Sequence, residues 1–295
     1  MDELDGRETA SLTPLLAAFL AAAEAGHVTR AAEVLGVPQS SLSRRLRAAE
    51  KVLGFALFQP VGRRVALTAQ GRDLFEQIRR PMHDLDHAIA AARANADPEG
   101  GLVRFGFPLT LGPVSIPALL ADFHAHVPRM RLQLVQAHGE ALAAQIRDGR
   151  LDLAVMIPAP ADLPSTVIGR QRIRLVVARE HRLASKRSVG AADLADEQFV
   201  ANPQSYHLRQ LTDAWCAEAG FTPRVAFEIT EFDTLRSLVA HGMGVALLPD
   251  AETPQPGTVS IPLVDAPDRS IGLVSGHHRP TAAVAMLHDH IAHSL

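Results

Sequence analysis

The chain has little of several residue types, and each shortage excludes a class of protein. It contains a single cysteine, Cys216, which rules out an internal disulfide and fits a reducing compartment. No apolar run approaches the roughly 18 uncharged residues of a membrane-spanning helix. The acidic stretch of residues 1–5 lacks the basic and then apolar pattern of a secretion signal. We therefore expect a cytoplasmic protein that does not contact a membrane.

Charge is nearly balanced over the whole chain, at −3, so its total does not indicate a nucleic-acid partner. The distribution of charge along the chain is more informative. Between residues 29 and 67, the acids Glu33 and Glu50 are outnumbered by basic residues, namely Arg30, Arg44, Arg45, Arg47, Lys51, Arg63 and Arg64. A local excess of this kind suits phosphate binding.

Apolar periodicity predicts three helices near the N-terminus. The first begins with Thr13 as its cap and Pro14 in its first turn, and it ends at Gly26. The second covers residues 29–35, with Thr29 as its cap, and the third covers residues 39–53. The short connection that contains Gly36 is typical of a helix-turn-helix.

The third helix has two different faces. Its apolar stripe consists of Leu42, Leu46, Ala49 and Leu53. Its other faces carry small polar and basic residues, namely Ser40, Ser41, Ser43, Arg44, Arg47 and Lys51. Short serines let a helix approach the major groove, and arginine bonds guanine or phosphate. On this helix alone, an ordinary solvated face is the stronger interpretation.

The next segment changes that preference. Residues 55–58 and 65–67 are predicted as two short strands, joined by a hairpin tip that carries Arg63 and Arg64. A basic wing beside a helix-turn-helix contacts phosphates or the minor groove. The whole pattern therefore predicts a winged helix-turn-helix that binds double-stranded DNA.

A long helix over residues 69–96, capped by Thr68, follows the wing. Its apolar seam consists of Leu74, Ile78, Met82, Leu85, Ile89 and Ala92. A lone helix would leave this seam exposed, so we expect a partner helix from a second subunit. Pro81 interrupts the helix and is expected to affect its geometry, and residues 97–101 form a linker.

From residue 102 onward, strands alternate with helices. The order strand, helix, strand, helix, strand over residues 102–157 predicts a parallel, doubly wound sheet. Further strands are expected at 173–178, 198–201, 225–229, 245–248 and 269–275, with helices at 205–219, 232–241 and 282–293. Proline-rich segments at 158–164 and 253–267 are expected to cross between two lobes.

The predicted fold class is therefore multidomain, as a length of 295 residues suggests. A mainly helical winged helix-turn-helix (residues 10–68) precedes a linker and dimerisation helix (69–97) and a two-lobed α/β domain (102–295). Within the α/β domain, the first lobe is expected to contain residues 102–160 and 268–295, and the second lobe residues 161–267.

Four segments resemble the LysR-type transcriptional regulators. They are residues 23–44, residues 57–71 with the run Gly62-Arg63-Arg64-Val65-Ala66-Leu67-Thr68, residues 146–154, and residues 242–249. The resemblance covers nearly the whole chain from Leu12. It implies an effector domain like a type 2 periplasmic solute-binding protein, and a homodimer or homotetramer that binds an interrupted palindrome. An activator of this kind would also contact RNA polymerase.

The resemblance also implies roles for particular residues. The groove-facing positions are Gln39, Ser40, Ser41, Ser43 and Arg44, the backbone contacts are Thr29 and Arg30, and the wing contacts are Arg63 and Arg64. Arg47 joins them as a basic residue of the same outer face. The chain departs from the family pattern at Pro38, where serine is common, and at Gln59 and Pro60, where a charged pair is common.

Effector-binding residues are expected where strands of the α/β domain end, because ligands of open α/β sheets bind beyond the carboxyl ends of strands. The candidates are Pro108, Leu109, Thr110, Asn202, Gln204, Thr230, Glu231 and Phe232. Thr110 lies at the start of a helix, which favours an anion such as a carboxylate. Glu231 would disfavour a purely anionic ligand. Ordinary capping and turn formation explain each of these residues at least as well as binding, except Thr110, for which binding is the stronger interpretation.

Other chemistry finds little support in the sequence. The 14 histidines, three of them on the last helix, lack a metal-binding pattern and are better explained as surface residues. No phosphate loop, dinucleotide fingerprint or nucleophile elbow is present, so we expect neither an enzyme nor a cofactor beyond the effector. The alternative is a solute-binding protein without a regulatory role, which would need an export signal.

Overall fold

The computed structural model describes residues 6–61, 64–94, 100–266, 268–277 and 279–294. The chain divides into two compact units, residues 1–88 and 89–295. The elements up to the division are α1 (Gly6–Ala25), α2 (Val28–Val34), α3 (Gln39–Leu53), β1 (Phe58–Val61), β2 (Arg64–Leu67) and the long helix α4 (Ala69–Ala94), which continues past it.

The first unit has a small apolar core formed by α1, α2 and α3. Its buried members are Ala18, Phe19, Ala22, Ala31, Ala32, Leu42, Leu46, Ala49 and Leu57. The ring of Phe19 packs edge-on against Phe58, with centroids 5.5 Å apart. The predicted apolar stripe of α3 is thus turned into the core, because small alanines on α1 and α2 allow the three helices to approach closely.

Two expected helix starts are wrong. Helix α1 begins at Gly6, so Pro14 lies inside it rather than in its first turn. Proline has no backbone N–H and so removes one hydrogen bond from a helix. The residues on both sides of Pro14 are nevertheless helical. Helix α2 begins at Val28 with His27 at the capping position, so Thr29 is already helical and caps nothing.

The first strand of the wing is displaced from its expected position. Strand β1 begins at Phe58, and its antiparallel register with β2 pairs Phe58 with Leu67 and Val61 with Arg64. Residues 56 and 57 do not join the ladder because they have other partners. The Glu50 carboxylate accepts a hydrogen bond from Leu57 N at 2.9 Å, and Thr68 Oγ1 donates to the carbonyl of Ala56 at 2.7 Å.

Helix α4 begins as predicted, with Thr68 Oγ1 accepting a hydrogen bond from Gly71 N at 2.9 Å. The helix passes through Pro81 as one element. Early seam residues pack against the core of the first unit, including Leu74 and Ile78. Later seam residues remain open, with Leu85 45% and Ile89 44% exposed.

Lobe I of the second unit is built on a five-stranded sheet in the order β4-β3-β5-β12-β6. Its strands are β3 (Leu102–Pro108), β4 (Arg131–Ala137), β5 (Leu153–Met156), β6 (Ser165–Gln171) and β12 (Arg269–Ser275), and its helices are α5 (Ser115–His126), α6 (Gly139–Arg147) and α9 (Ala282–Ser294). Helices α5 and α9 cover one face of the sheet and α6 covers the other.

Strand alternation explains this division. In β5, Leu153 and Val155 belong to the cluster under α5 and α9, whereas Ala154 and Met156 belong to the cluster under α6. At Gly106 of β3, a Cβ atom would lie only 2.7 Å from Leu151 Cδ1. A larger residue there would force the buried side chains of Leu151 and Leu142 to shift, and glycine avoids this.

Lobe II contains the remaining elements of the second unit. Its strands are β7 (Ile173–Ala178), β8 (Gln198–Ala201), β9 (Arg224–Glu228), β10 (Ala246–Pro249) and β11 (Thr258–Pro262), and its helices are α7 (His207–Glu218) and α8 (Phe232–Ala240). Strand β7 is central in the antiparallel order β10-β7-β11, and β8 and β9 form a parallel pair. A parallel bridge from Phe199 to Val245 connects the two groups.

The structure corrects the predicted topology in three respects. Strand β6 was not predicted, and because it pairs with β12 it extends lobe I to residue 171, beyond the expected limit of 160. Strand β11 lies within a segment expected to be a crossover. The sheet of lobe I is parallel only among β3, β4 and β5, because β12 runs antiparallel to β5 and β6. Strand direction depends on distant partners that local sequence patterns do not specify.

Among the described residues, no single helix is long and apolar enough to cross a membrane. The helical segments Ser11–Ala25 and Val28–Val34 together have the length and composition of a span, but a bend of 118° separates them.

Candidate nucleic-acid interface and candidate ligand cleft

The outer face of α3 is the candidate nucleic-acid interface. Gln39, Ser40, Arg44 and Arg47 are exposed, and Ser41 and Ser43, which belong to the same predicted set, are half-buried. Arg44 Nη2 lies 3.5 Å from Ser41 Oγ, at the limit of hydrogen bonding. This face presents charged and polar groups to solvent, whereas the opposite face is held in the core.

The neighbouring elements carry the other predicted contacts. Thr29 and Arg30 are exposed in the first turn of α2. The turn between α2 and α3 requires a left-handed residue, and Gly36 has φ +63° there. In the wing, Arg64 is the first residue of β2, whereas Arg63 lies outside the described residues. The arrangement is suited to placing one helix in a groove beside a basic hairpin.

The candidate ligand site is a cavity of about 420 Å³ between lobe I and lobe II. Lobe I supplies the ends of β3, β4 and β5, the start of α6 and the start of β12, and lobe II supplies the starts of α7 and α8. The lining residues include Pro108, Leu109, Thr110, His138, Glu140, Met156, Ile157, Tyr206, His207, Leu208, Phe232 and Arg269. A volume in this range is typical of a small-molecule site.

Four of the eight predicted effector residues line this cavity, namely Pro108, Leu109, Thr110 and Phe232. The other four do not. Asn202 is buried, and its Nδ2 donates to the carbonyl of Ile229 at 3.0 Å and to that of Thr230 at 3.4 Å, so it fastens β8 to the end of β9. The carbonyl of Gln204 accepts from Gln210 Nε2 at 3.1 Å.

Glu231 borders a different space. It is the capping residue of α8 and lines an adjoining cavity of about 330 Å³, which shares Leu109, Thr110 and Phe232 with the first. Glu231 therefore does not line the larger cavity, although it borders the adjoining one beside Thr110.

Sequence reasoning missed the buried cation of the larger cavity. Arg269, the first residue of β12, is only 6% exposed, and Gln171 at the end of β6 is 8% exposed. Arg269 Nη2 donates a hydrogen bond to Gln171 Oε1, and Gln171 Nε2 donates to Thr110 Oγ1 at 3.4 Å. The available signal in the sequence was an arginine at the start of a strand whose centre is apolar; its partner lies 98 residues away.

Burial and charge alter the acidity of the cavity residues. Burial lowers the pKa of the Arg269 guanidinium to about 10, so the group is still protonated at neutral pH. Burial and the charge of Arg269 lower the pKa of His207, and burial and the charge of Glu231 raise the pKa of Tyr206. The rings of Tyr206 from lobe II and His138 from lobe I lie 5.4 Å apart at the cavity wall.

A second contact joins the lobes. Glu252, which follows β10 of lobe II, accepts hydrogen bonds from Val114 N at 2.8 Å and Ser115 N at 3.0 Å, at the start of α5 in lobe I. A carboxylate at a helix N-terminus satisfies free backbone N–H groups and the helix dipole. Glu252 therefore fastens lobe II to the start of α5 in lobe I.

Within the described part of the chain, no cluster of three or more potential metal ligands is present. Two histidines of the last helix have local partners instead. His288 Nδ1 contacts Asp289 at 3.1 Å, and His293 Nδ1 contacts the carbonyl of Asp289 at 2.6 Å.

The fold and these two sites define a DNA-binding regulator with a ligand-binding α/β domain, and comparisons identify the family. Residues 14–72 match the bacterial regulatory helix-turn-helix protein, lysR family, and residues 96–295 match the LysR substrate binding domain. The chain is 33% identical over 275 residues to the transcriptional dual regulator GltC of Bacillus subtilis (strain 168), covering 90% of this chain and 91% of GltC. The chain belongs to the LysR family of DNA-binding transcription regulators.

Solved structures support the same fold. A full-length OxyR variant from Pseudomonas aeruginosa gives a TM-score of 0.72 at 24% identity, over 96% of this chain and 93% of that one. Full-length CbnR in complex with its target DNA gives a TM-score of 0.69 at 21% identity, over 96% of this chain and 99% of CbnR. The predicted family, fold class and regulatory function are confirmed, and regulation is favoured over the solute-binding alternative. Members of this family are regulators rather than enzymes, bind DNA and small-molecule effectors, and form oligomers.

Proposed function

We propose that the outer face of α3 enters the major groove, where Arg44, Gln39 and Ser40 contact base edges. Ser41, Ser43 and Arg47 complete this surface, Thr29 and Arg30 bind the adjacent phosphates, and Arg63 and Arg64 contact the backbone or minor groove beside it. The observation that carries the proposal is the exposure of the polar face of α3 opposite its fully buried Leu42 and Ala49. Arginine in this setting pairs bidentately with guanine.

We further propose that the cytoplasmic protein acts as a homodimer or homotetramer on an interrupted palindrome, and that it contacts RNA polymerase if it activates transcription. Each subunit of a symmetric dimer presents one α3, so a two-fold operator follows from two-fold protein symmetry. A small molecule in the 420 Å³ cleft would favour one closure state of the lobes and thereby change how the subunits hold DNA.

The first test is a footprint on the DNA upstream of the protein's own gene and of the adjacent gene, followed by binding measurements with two variants. Arg44→Ala is expected to weaken operator binding by about 1–3 kcal/mol and random-DNA binding much less. Arg45→Ala is the matched control, because Arg45 is also exposed but points about 100° around the helix from Arg44. It should cause a small, equal loss on both DNAs.

Equal losses on operator and random DNA for Arg44→Ala would contradict its assignment to base contact. A protected palindrome that neither variant alters would move base readout away from this face of α3.

A further inference from the structure

We propose that the effector is a small organic monocarboxylate whose anionic group pairs with the Arg269 guanidinium and accepts a hydrogen bond from Thr110. This inference rests on the proposed role of the cleft as the effector site. It adds the chemical class of the ligand and the residue that selects it.

Arg269 is a buried cation without an anionic partner. Its Nε is buried and has no hydrogen-bond partner within the described part of the chain, where Arg269 also forms no ion pair. Its Nη2 donates a hydrogen bond to the neutral amide of Gln171. A buried charge without a counter-charge is strongly unfavourable, so this arrangement is improved by an anion that enters the cavity.

The neighbouring hydrogen bonds orient a second donor. Arginine can only donate, so Gln171 must turn its Oε1 toward Arg269 and its Nε2 toward Thr110. Thr110 Oγ1 then accepts from Gln171, which leaves the hydroxyl hydrogen of Thr110 free to donate. The three side chains thus present a cation and an oriented hydroxyl donor at one end of the cavity, which suits a carboxylate.

The other lining groups favour a single anionic group. Among the described lining residues, Glu140 alone carries a carboxylate. It has an ion pair with Arg147 at 3.3 Å and a side chain that is 73% exposed. The lowered pKa of His207 keeps it neutral at pH 7, so it supplies no second positive charge. Met156, Leu208 and Phe232 offer apolar surface for the uncharged body of the ligand. A second carboxylate would lack a partner and lie near Glu140.

The test uses the full-length protein and thermal unfolding with matched probes. Benzoate, 3-methylbutanoate and acetate are compared with their uncharged amides and with the dicarboxylates phthalate and succinate, at constant ionic strength. At about five times its Kd, a binding monocarboxylate should raise Tm by about 2–4 °C. The amides should give no shift, and each dicarboxylate should give less than the monocarboxylate of similar size.

Variants then separate binding from a structural role. Arg269→Met should weaken binding of the best monocarboxylate roughly 10- to 100-fold, and without ligand its Tm should stay level or rise because an unpaired buried charge is removed. Thr110→Val, of similar shape, should weaken binding less. Arg170→Gln, an exposed change on β6, is the control and should leave binding unchanged.

Three results would overturn the proposal: equal shifts with amides and acids, larger shifts with dicarboxylates, or no shift with any monocarboxylate. Protection by inorganic phosphate alone would also overturn it. If an uncharged compound changes the footprint and Phe232→Ala abolishes that change, the cleft function stands and only the carboxylate assignment fails.

Discussion

At the scale of single residues, Cys216 shows how burial determines chemistry. It lies on α7 with no measurable exposure, in the apolar core of lobe II. Burial, together with the charge of Asp213, raises the pKa of its thiol to about 12. The thiolate is the reactive form of cysteine. With this pKa, only about one Cys216 side chain in 10,000 would be ionised at pH 8. The structure buries this thiol completely, and from that burial we predict that it is inert.

We therefore expect Cys216 to react with an aromatic disulfide reagent at least 100-fold more slowly in the native protein than in urea, since the pKa shift alone suppresses the thiolate. Hydrogen peroxide at concentrations that oxidise exposed thiols should leave the DNA footprint unchanged. Rapid labelling of the native protein, or a peroxide effect that Cys216→Ala removes, would show that the thiol is accessible and regulatory.

Glu50 is a second residue whose role comes from its partners. Its Oε1 accepts from Leu57 N at 2.9 Å and from Phe58 N at 3.4 Å, and so it holds the chain between α3 and the wing. Glu50→Ala would leave these donors without that acceptor. We expect a loss of about 1–3 kcal/mol in the free energy of unfolding of the first unit.

Chemical denaturation would measure this loss. The control is Glu33→Ala, which removes an exposed acid of α2 and should change stability by less than about 0.5 kcal/mol. Equal stability of the two variants would mean that the Glu50 contacts contribute nothing beyond solvent hydrogen bonds.

At the scale of elements, α4 has two roles along one seam. Its first turns are fixed by the Thr68 cap and by Leu74 and Ile78, which pack on the core of the first unit. Farther along the helix, Leu85 and Ile89 are nearly half exposed, which is costly for large apolar side chains on one stripe. This is the segment that we propose for subunit association.

The double substitution Leu85→Glu and Ile89→Glu should shift the protein toward monomer, because two carboxylates per subunit would be buried in an apolar helix pair. Light scattering after size exclusion would give the mass. Asp86→Lys, an exposed change on the same helix, should leave the mass unaltered. An unchanged oligomer in the double variant would place the subunit interface elsewhere.

At the scale of the whole molecule, regulation requires that ligand binding in one unit changes DNA binding by the other. A ligand can shift a conformational equilibrium only by its differential affinity for the two states. The contacts that cross the cleft, Glu252 with the start of α5 and His138 with Tyr206, belong to one arrangement of the two lobes. The effector would act by strengthening or weakening that arrangement.

DNA affinity should fall steeply with salt, because basic residues replace counterions on phosphates. Arg63→Ala should weaken operator and random DNA alike and reduce the slope of log K against log salt by about one per subunit. Titrations at several salt concentrations would measure the slope. A loss confined to the operator, with an unchanged slope, would instead make Arg63 a base-reading residue.

Prediction from the sequence succeeded where the pattern was local. The bounds of α3 and the Thr68 cap follow from short-range periodicity and from one hydroxyl group. Prediction from the sequence failed where a strand or side chain depends on a partner that is distant along the chain. Strand β6 lacks a marked alternation and exists because β12 pairs with it. Asn202 follows a strand as expected, but its amide binds the backbone of residues 229 and 230 instead of facing the cleft.

The sequence by itself determined the family, the order of the domains, the bounds of α3 and half of the predicted cleft residues, because motifs and helical periods depend on neighbouring residues. Only the tertiary structure decided the chemistry of the cleft. Arg269 and Gln171 are opposite each other in the register of β12 and β6, although 98 positions separate them. Their burial, and the unpaired guanidinium that results, depend on how the sheet is assembled, which local sequence patterns do not specify.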